Sequence, residues 1–198
     1  MTHVLFMAIA ARSGTFARAV LLLIAAALPA PASAQGEARA WEVLAGGGVV
    51  LFRHANAPGG GDPPGMRIGD CATQRNLDAA GRDQARRIGA AFAGRGIAVG
   101  AVLTSQWCRT RETAALAFPG RVSDEAAFNS FFGDRAAGPA RTTAARAVLS
   151  RWSGPGALVV VTHQVNITAL TGIFPASGEG IVLERDGPGW RVAGRIRP

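Results

Sequence analysis

Val49-Val50-Leu51-Phe52-Arg53-His54 and Ala157-Leu158-Val159-Val160-Val161-Thr162-His163 decide the fold. Each is an apolar run of strand length with no polar alternation, the pattern of a strand covered on both faces in a parallel sheet. Each also stops at a histidine. Open α/β sheets gather their ligands beyond the carboxyl ends of the strands. Two such strands side by side would bring two imidazoles to one rim, with Arg53 beside the first. A pocket of that kind suits an anion, and it points to phosphate chemistry with a histidine nucleophile.

Outward from these strands, helical and extended segments alternate. Asn56 to Asp70 reads as a loop, because Pro58, Pro63, Pro64 and four glycines exclude regular structure. Asp78 can cap a helix running to about Gly94, with Ala85, Ile88, Ala91 and Phe92 on one face. Ala101 to Thr104 reads as a short strand, followed by a helix from Trp107 through Ala117. Ala140 to Trp152 is a further helix, and Ile167 to Thr171 begins another. Gly180 to Arg185, the turn Asp186-Gly187-Pro188-Gly189 and Trp190 to Ile196 form a hairpin. The expectation is one α/β domain with a mostly parallel sheet flanked by helices and an antiparallel C-terminal hairpin.

The 198 residues suit a single core. Residues 1–34 read as a signal peptide: Arg12 and Arg18 in front, an apolar run from Ala19 to Ala30, and Ala32-Ser33-Ala34 before Gln35 as the cleavage site. That run falls short of the ~20 residues needed to span a bilayer. The expectation is a periplasmic or secreted domain over 35–198 with no stable membrane insertion, opening on a short polar terminus from Gln35 to Ala40. Net charge is +8 and every basic residue is arginine. The arginines are scattered without a basic tail or aromatic-interleaved stripe, which argues against nucleic acid and for anionic small molecules or an anionic surface. Cys71 and Cys108 are the only cysteines, and an even count in an exported protein favours a disulfide.

The chemistry rests on four residues that converge if the strand ends lie together. His54 can attack phosphorus and hold the phosphoryl group covalently. Arg53, Arg109 and His163 can neutralise charge on the equatorial oxygens, and arginine grips two oxygens at once. Few residues could form a metal-ligand cluster, so no metal and no cofactor is expected.

Here the chain resembles a family. Arg53-His54-Ala55, the segment Asn76 to Ala85, Ser105-Gln106-Trp107-Cys108-Arg109-Thr110-Arg111-Glu112-Thr113-Ala114 and Val161-Thr162-His163 are similar, in order, to four motifs of the histidine phosphatase superfamily, also called phosphoglycerate-mutase-like. The short loops around the motifs resemble its compact bacterial branch. The resemblance implies that His54 is phosphorylated and that Arg53, Arg109 and His163 hold the phosphate. It implies a metal-independent phosphatase acting on a small phosphorylated substrate or a phosphorylated surface group.

One position departs from the pattern. Many members carry a glutamate as general acid in L-x-E-x-x-x-G; the matching stretch Ala127 to Gly133 has Asn129 there, and an amide cannot donate a proton as a carboxylic acid does. Asp134 is the expected substitute, with Glu125 behind it. A Cys71–Cys108 bond would tie the loop leaving His54 to the turn that aims Arg109, and Arg75 could reach a substrate group beyond the phosphate. The rivals are a phosphomutase and a non-enzymatic phosphate-binding module of the same fold.

Overall fold

The computed structural model describes Met1 and residues 32–198. The expected signal peptide lies outside the described residues except at its ends. Six strands form one sheet in the order β3-β2-β4-β1-β5-β6: β1 Val49–Arg53, β2 Val99–Thr104, β3 Val122–Asp124, β4 Ala157–Thr162, β5 Gly180–Asp186 and β6 Gly189–Ile196. The first four strands in that spatial order run parallel, and β5 and β6 are antiparallel to their neighbours. The expected α/β class, mostly parallel sheet and hairpin are all present.

The two quoted stretches are adjacent at the sheet's centre. Val49 to Arg53 pair with Leu158 to Thr162 in parallel register, and every residue of β4 is buried. Alternation then divides the core. Val50, Phe52, Val159 and Val161 face α1 (Ala32–Ala45), α2 (Ala79–Gly94) and α3 (Cys108–Ala117). Val49, Leu51, Leu158 and Val160 face α4 (Gly138–Ser150) and α5 (Gln164–Thr171). Helices therefore cover both faces, which is why the strands carry no polar alternation.

Two elements differ from the sequence reading. Gln35 to Ala40 is not merely a short polar terminus but part of α1, which runs from Ala32 to Ala45 and buries Ala40, Trp41 and Leu44 against the sheet. The polar stretch Gln35-Gly36-Glu37 within it hides an apolar face that begins only at Ala40. The three-residue strand β3 was also not expected; its residues are partly or fully exposed, so no apolar run announces it.

Asp78 caps α2 as expected, its carboxylate accepting from the Gly81 amide at 2.6 Å. Gly81 is fixed by close approach. A Cβ there would stand 2.0 Å from the Asn56 carbonyl oxygen, so only glycine lets α2 rest on the chain leaving β1. Gln84, one turn later, accepts from the Asn56 amide and donates to the Ser177 carbonyl. The second motif is thus a brace for the loop behind His54.

Candidate active site

The carboxyl ends of β1, β4 and β2 deliver Arg53-His54, His163 and Ser105 to one rim, where a cavity of about 730 Å³ opens. Arg53, His54, Arg75, Arg109 and His163 all line it. The four residues expected to converge do so, and Arg75 joins them.

His54 is 3% exposed. Its Nδ1 lies 2.8 Å from the Ala55 carbonyl oxygen. A carbonyl only accepts, so Nδ1 carries the proton and Nε2 keeps its lone pair. Burial, then the charge of Arg109, lowers the His54 pKa to about 3, with smaller pushes from Arg75 and Arg53. The imidazole is therefore neutral and nucleophilic at physiological pH.

His163 is fixed in the complementary way. Arg109 Nη2 donates to its Nδ1 at 3.3 Å, so Nε2 bears the proton and donates to Ser105 Oγ at 2.8 Å. Ser105 Oγ in turn donates a hydrogen bond to Asn129 Oδ1 at 3.3 Å, and that oxygen also accepts from the Gln106 amide. Burial, with Arg109 next, holds the His163 pKa well below its ordinary value. The two rings stand 5.6 Å apart, and Trp107 closes on His163 at 5.3 Å.

The cations are braced from behind. Arg109 sits at the start of α3, where its carbonyl accepts from Thr113 Oγ1; that oxygen in turn accepts from the Ala55 amide. One threonine therefore couples α3 to the loop that leaves His54. Arg53 Nη1 donates to the Pro175 carbonyl at 3.1 Å. The turn carrying Pro175 is anchored by Glu179, 1% exposed, which accepts from the Ala176 amide, Arg195 and Arg197. Burial pushes the Glu179 carboxyl up, but these bonds outweigh it and hold the group below its ordinary value. The Nε atoms of Arg53, Arg75 and Arg109 are buried without a hydrogen-bond partner among the described residues. Burial and mutual repulsion lower the Arg53 and Arg75 pKa. Three crowded guanidiniums and two neutral imidazoles form a site for a multiply charged anion.

The carboxylates fall differently from the sequence expectation. Asn129 is buried and spent in the Ser105 relay, away from the cavity lining. Glu125 caps the turn at Ala126–Phe128, its carboxylate accepting from the Ala127 amide. Asp134 does line the cavity but is exposed at its mouth. The residue that sequence reasoning missed is Asp62, whose carboxylate grips both Nη atoms of Arg109 at 2.6 and 3.1 Å. Nothing local marks it: it sits in Gly59-Gly60-Gly61-Asp62-Pro63-Pro64, and its partner is 47 residues away.

Cys71 and Cys108 are joined, with Cα atoms 5.7 Å apart and no free cysteine remaining. The bond ties the turn Cys71–Thr73 to the first residue of α3, next to Arg109. Arg111 pairs with Asp124 outside the cavity. Among the described residues no cluster of three or more histidine, cysteine, aspartate or glutamate side chains could hold a metal ion. No described helix is long and apolar enough to cross a membrane.

Residues 49–129 match the sequence model of the histidine phosphatase superfamily (branch 1). No curated protein matches the chain in sequence. Among solved structures, one similar fold is a protein assigned as the phosphohistidine phosphatase SixA of Agrobacterium tumefaciens, 23% identical, with a TM-score of 0.51 over 77% of this chain and 98% of that one. Another is a SixA histidine phosphatase complexed with tungstate, 16% identical, TM-score 0.54, over 76% and 97% of the two chains. A phosphoserine phosphatase variant from Entamoeba histolytica, complexed with phosphoserine, is 12% identical, TM-score 0.54, over 75% and 95%. The resemblance to the histidine phosphatase superfamily thus holds in sequence over 49–129 and in fold over about three quarters of the chain.

Proposed function

We propose that this protein is a phosphatase that transfers a phosphoryl group to His54 and then to water, acting on a phosphomonoester or a phosphohistidine. The observation that carries this reading is the state of His54. Its proton is committed to the Ala55 carbonyl on Nδ1, its Nε2 lone pair is free, and it lies among guanidiniums that favour the negative charge of a phosphate. Arg53 and Arg109 take the equatorial oxygens, His163 joins them once the bound anion draws a proton onto its Nδ1, and Arg75 reaches the same anion or a second group on the substrate. Positioning and charge do most of the work in phosphoryl transfer, and this cavity supplies both.

Turnover of p-nitrophenyl phosphate, set against a His54→Ala control, tests the reading. The wild type should release nitrophenol, and acid quench with labelled substrate should trap an acid-labile phosphoenzyme. His54→Ala should retain its fold and lose both. Activity in His54→Ala overturns the mechanism. Phosphate binding without turnover in the wild type would favour the binding module, and phosphoryl transfer to an added alcohol in place of water would favour a mutase.

Export rests on the sequence of residues 1–34. Cleavage after Ala34 would leave the buried face of α1 intact, since that face begins at Ala40. Expression with the full leader should give a mature protein whose amino terminus is Gln35; recovery of the uncleaved chain in the cytoplasm would remove the exported assignment.

A further inference from the structure

The phosphate clamp of this protein already holds an anion of its own. The Asp62 carboxylate meets Arg109 Nη1 and Nη2 with its two oxygens, in the fork geometry by which an arginine holds two phosphate oxygens. It accepts further bonds from Trp107 Nε1 at 3.0 Å and the Arg75 amide at 3.2 Å. Its side chain is 17% exposed, and it lines the same cavity as His54 and His163. Phosphate cannot take both Nη atoms of Arg109 while Asp62 keeps them. Gly59, Gly60 and Gly61 immediately precede Asp62, so the backbone on that side is conformationally permissive.

We propose that Asp62 is the proton donor to the leaving group, parked on Arg109 until the substrate phosphate displaces it. The proposal rests on the phosphohistidine reading above. Asp62 and Asp134 are the only carboxylates lining the cavity among the described residues, and Asp62 is the one that contacts a phosphate clamp. The position where an acid is expected holds Asn129, buried and committed elsewhere. Displacement also readies Asp62 to take up a proton. Burial by itself raises the Asp62 carboxyl, and the bond and charge of Arg109 bring it back below its ordinary value. Once Arg109 turns to phosphate, burial and the neighbouring anion both favour the acid form. The proton arrives on a substrate monoanion or from solvent.

The step balances. His54 Nε2 forms a bond to phosphorus as the ester P–O bond breaks, and the Asp62 carboxylic acid gives its proton to the departing oxygen, releasing a neutral alcohol. Water then attacks phosphorus and the N–P bond breaks. Its proton passes to the Asp62 carboxylate, and inorganic phosphate leaves.

The test compares kcat/KM for p-nitrophenyl and phenyl phosphate in the wild type, Asp62→Asn and Asp134→Asn. Nitrophenolate departs readily without a proton, whereas phenolate needs one more. Asp62→Asn should therefore lose at least about tenfold more on phenyl than on p-nitrophenyl phosphate, its loss on phenyl phosphate falling in the 10²–10⁴-fold range of general acid catalysis. Equal losses on the two esters, or the differential appearing in Asp134→Asn instead, overturn the proposal. A second measurement tests displacement without turnover: binding of inorganic phosphate to His54→Ala and to His54→Ala/Asp62→Asn. The double variant should bind several-fold more tightly, because the competing carboxylate is gone; weaker binding would make Asp62 a support for Arg109 and overturn the proposal. Inactivity of the wild type on both esters would instead count against the phosphatase reading itself.

Discussion

At the scale of single residues, the site works by fixing tautomers and crowding like charges. Both cavity histidines are neutral in the fold, whereas an unfolded chain protonates them near 6.5. The unfolded state therefore binds more protons between the folded and unfolded values, and these groups make stability rise with pH through that window, from about 3 to about 6.5 for His54. Arg109 is the leading charge acting on both rings. Its loss has a double signature: Arg109→Ala should lower turnover by roughly 10²–10³ and raise the His54 pKa, read by NMR titration of the imidazole. Arg109→Lys should recover only part of the rate, because a point charge replaces a two-pronged donor. Unchanged turnover and an unmoved titration would remove Arg109 from the site. Arg53, His54, Arg109 and His163 were legible in the sequence because each stands at, or just after, a strand end. Asp62 and the Ser105–Asn129 relay were not. Their roles come from contacts between distant segments, which no local spacing encodes.

At the scale of elements, α2 is the part most exposed to a small change. Gly81→Ala would drive a Cβ against the Asn56 carbonyl, and overpacking of this kind costs about 1–3 kcal/mol. The same exchange at Gly94, the last residue of α2, meets nothing within 4 Å and should be neutral or stabilising by up to ~1 kcal/mol. Denaturant melts of the two variants should diverge accordingly, with Gly81→Ala also slowing turnover, since Asn56 follows His54 by two residues. Similar melts would mean that the α2 contact yields without cost. The helix was readable from Asp78 and the buried spacing of Ala85, Ile88 and Phe92, whereas β3 was too short and too polar to read, and α1 was hidden by the polar stretch Gln35 to Glu37 ahead of its buried face.

At the scale of the whole molecule, one covalent link joins the two halves of the pocket. The Cys71–Cys108 bond closes a 37-residue separation, which in the chain-entropy view stabilises the fold by roughly 3–4 kcal/mol. Reduction should lower the denaturation midpoint accordingly. It should also reduce kcat/KM, because Arg109 adjoins Cys108 and small misplacements of a catalytic group are costly. The Cys108 amide still donates to Gln74 Oε1 at 2.9 Å, so the fall should be partial. Unchanged activity after complete reduction would separate the bond from the pocket. The strand order carries a further consequence, for the timing of folding. The strand that ends at His54, β1, lies inside the sheet between β4 and β5, whose residues come more than a hundred positions later. Such distant pairings are slow to close. A ribosome must release nearly the whole polypeptide before β1 finds either neighbour, so on the exported reading proposed above a translocation channel would meet a thread with no finished pocket, and any turnover would begin only on the far side.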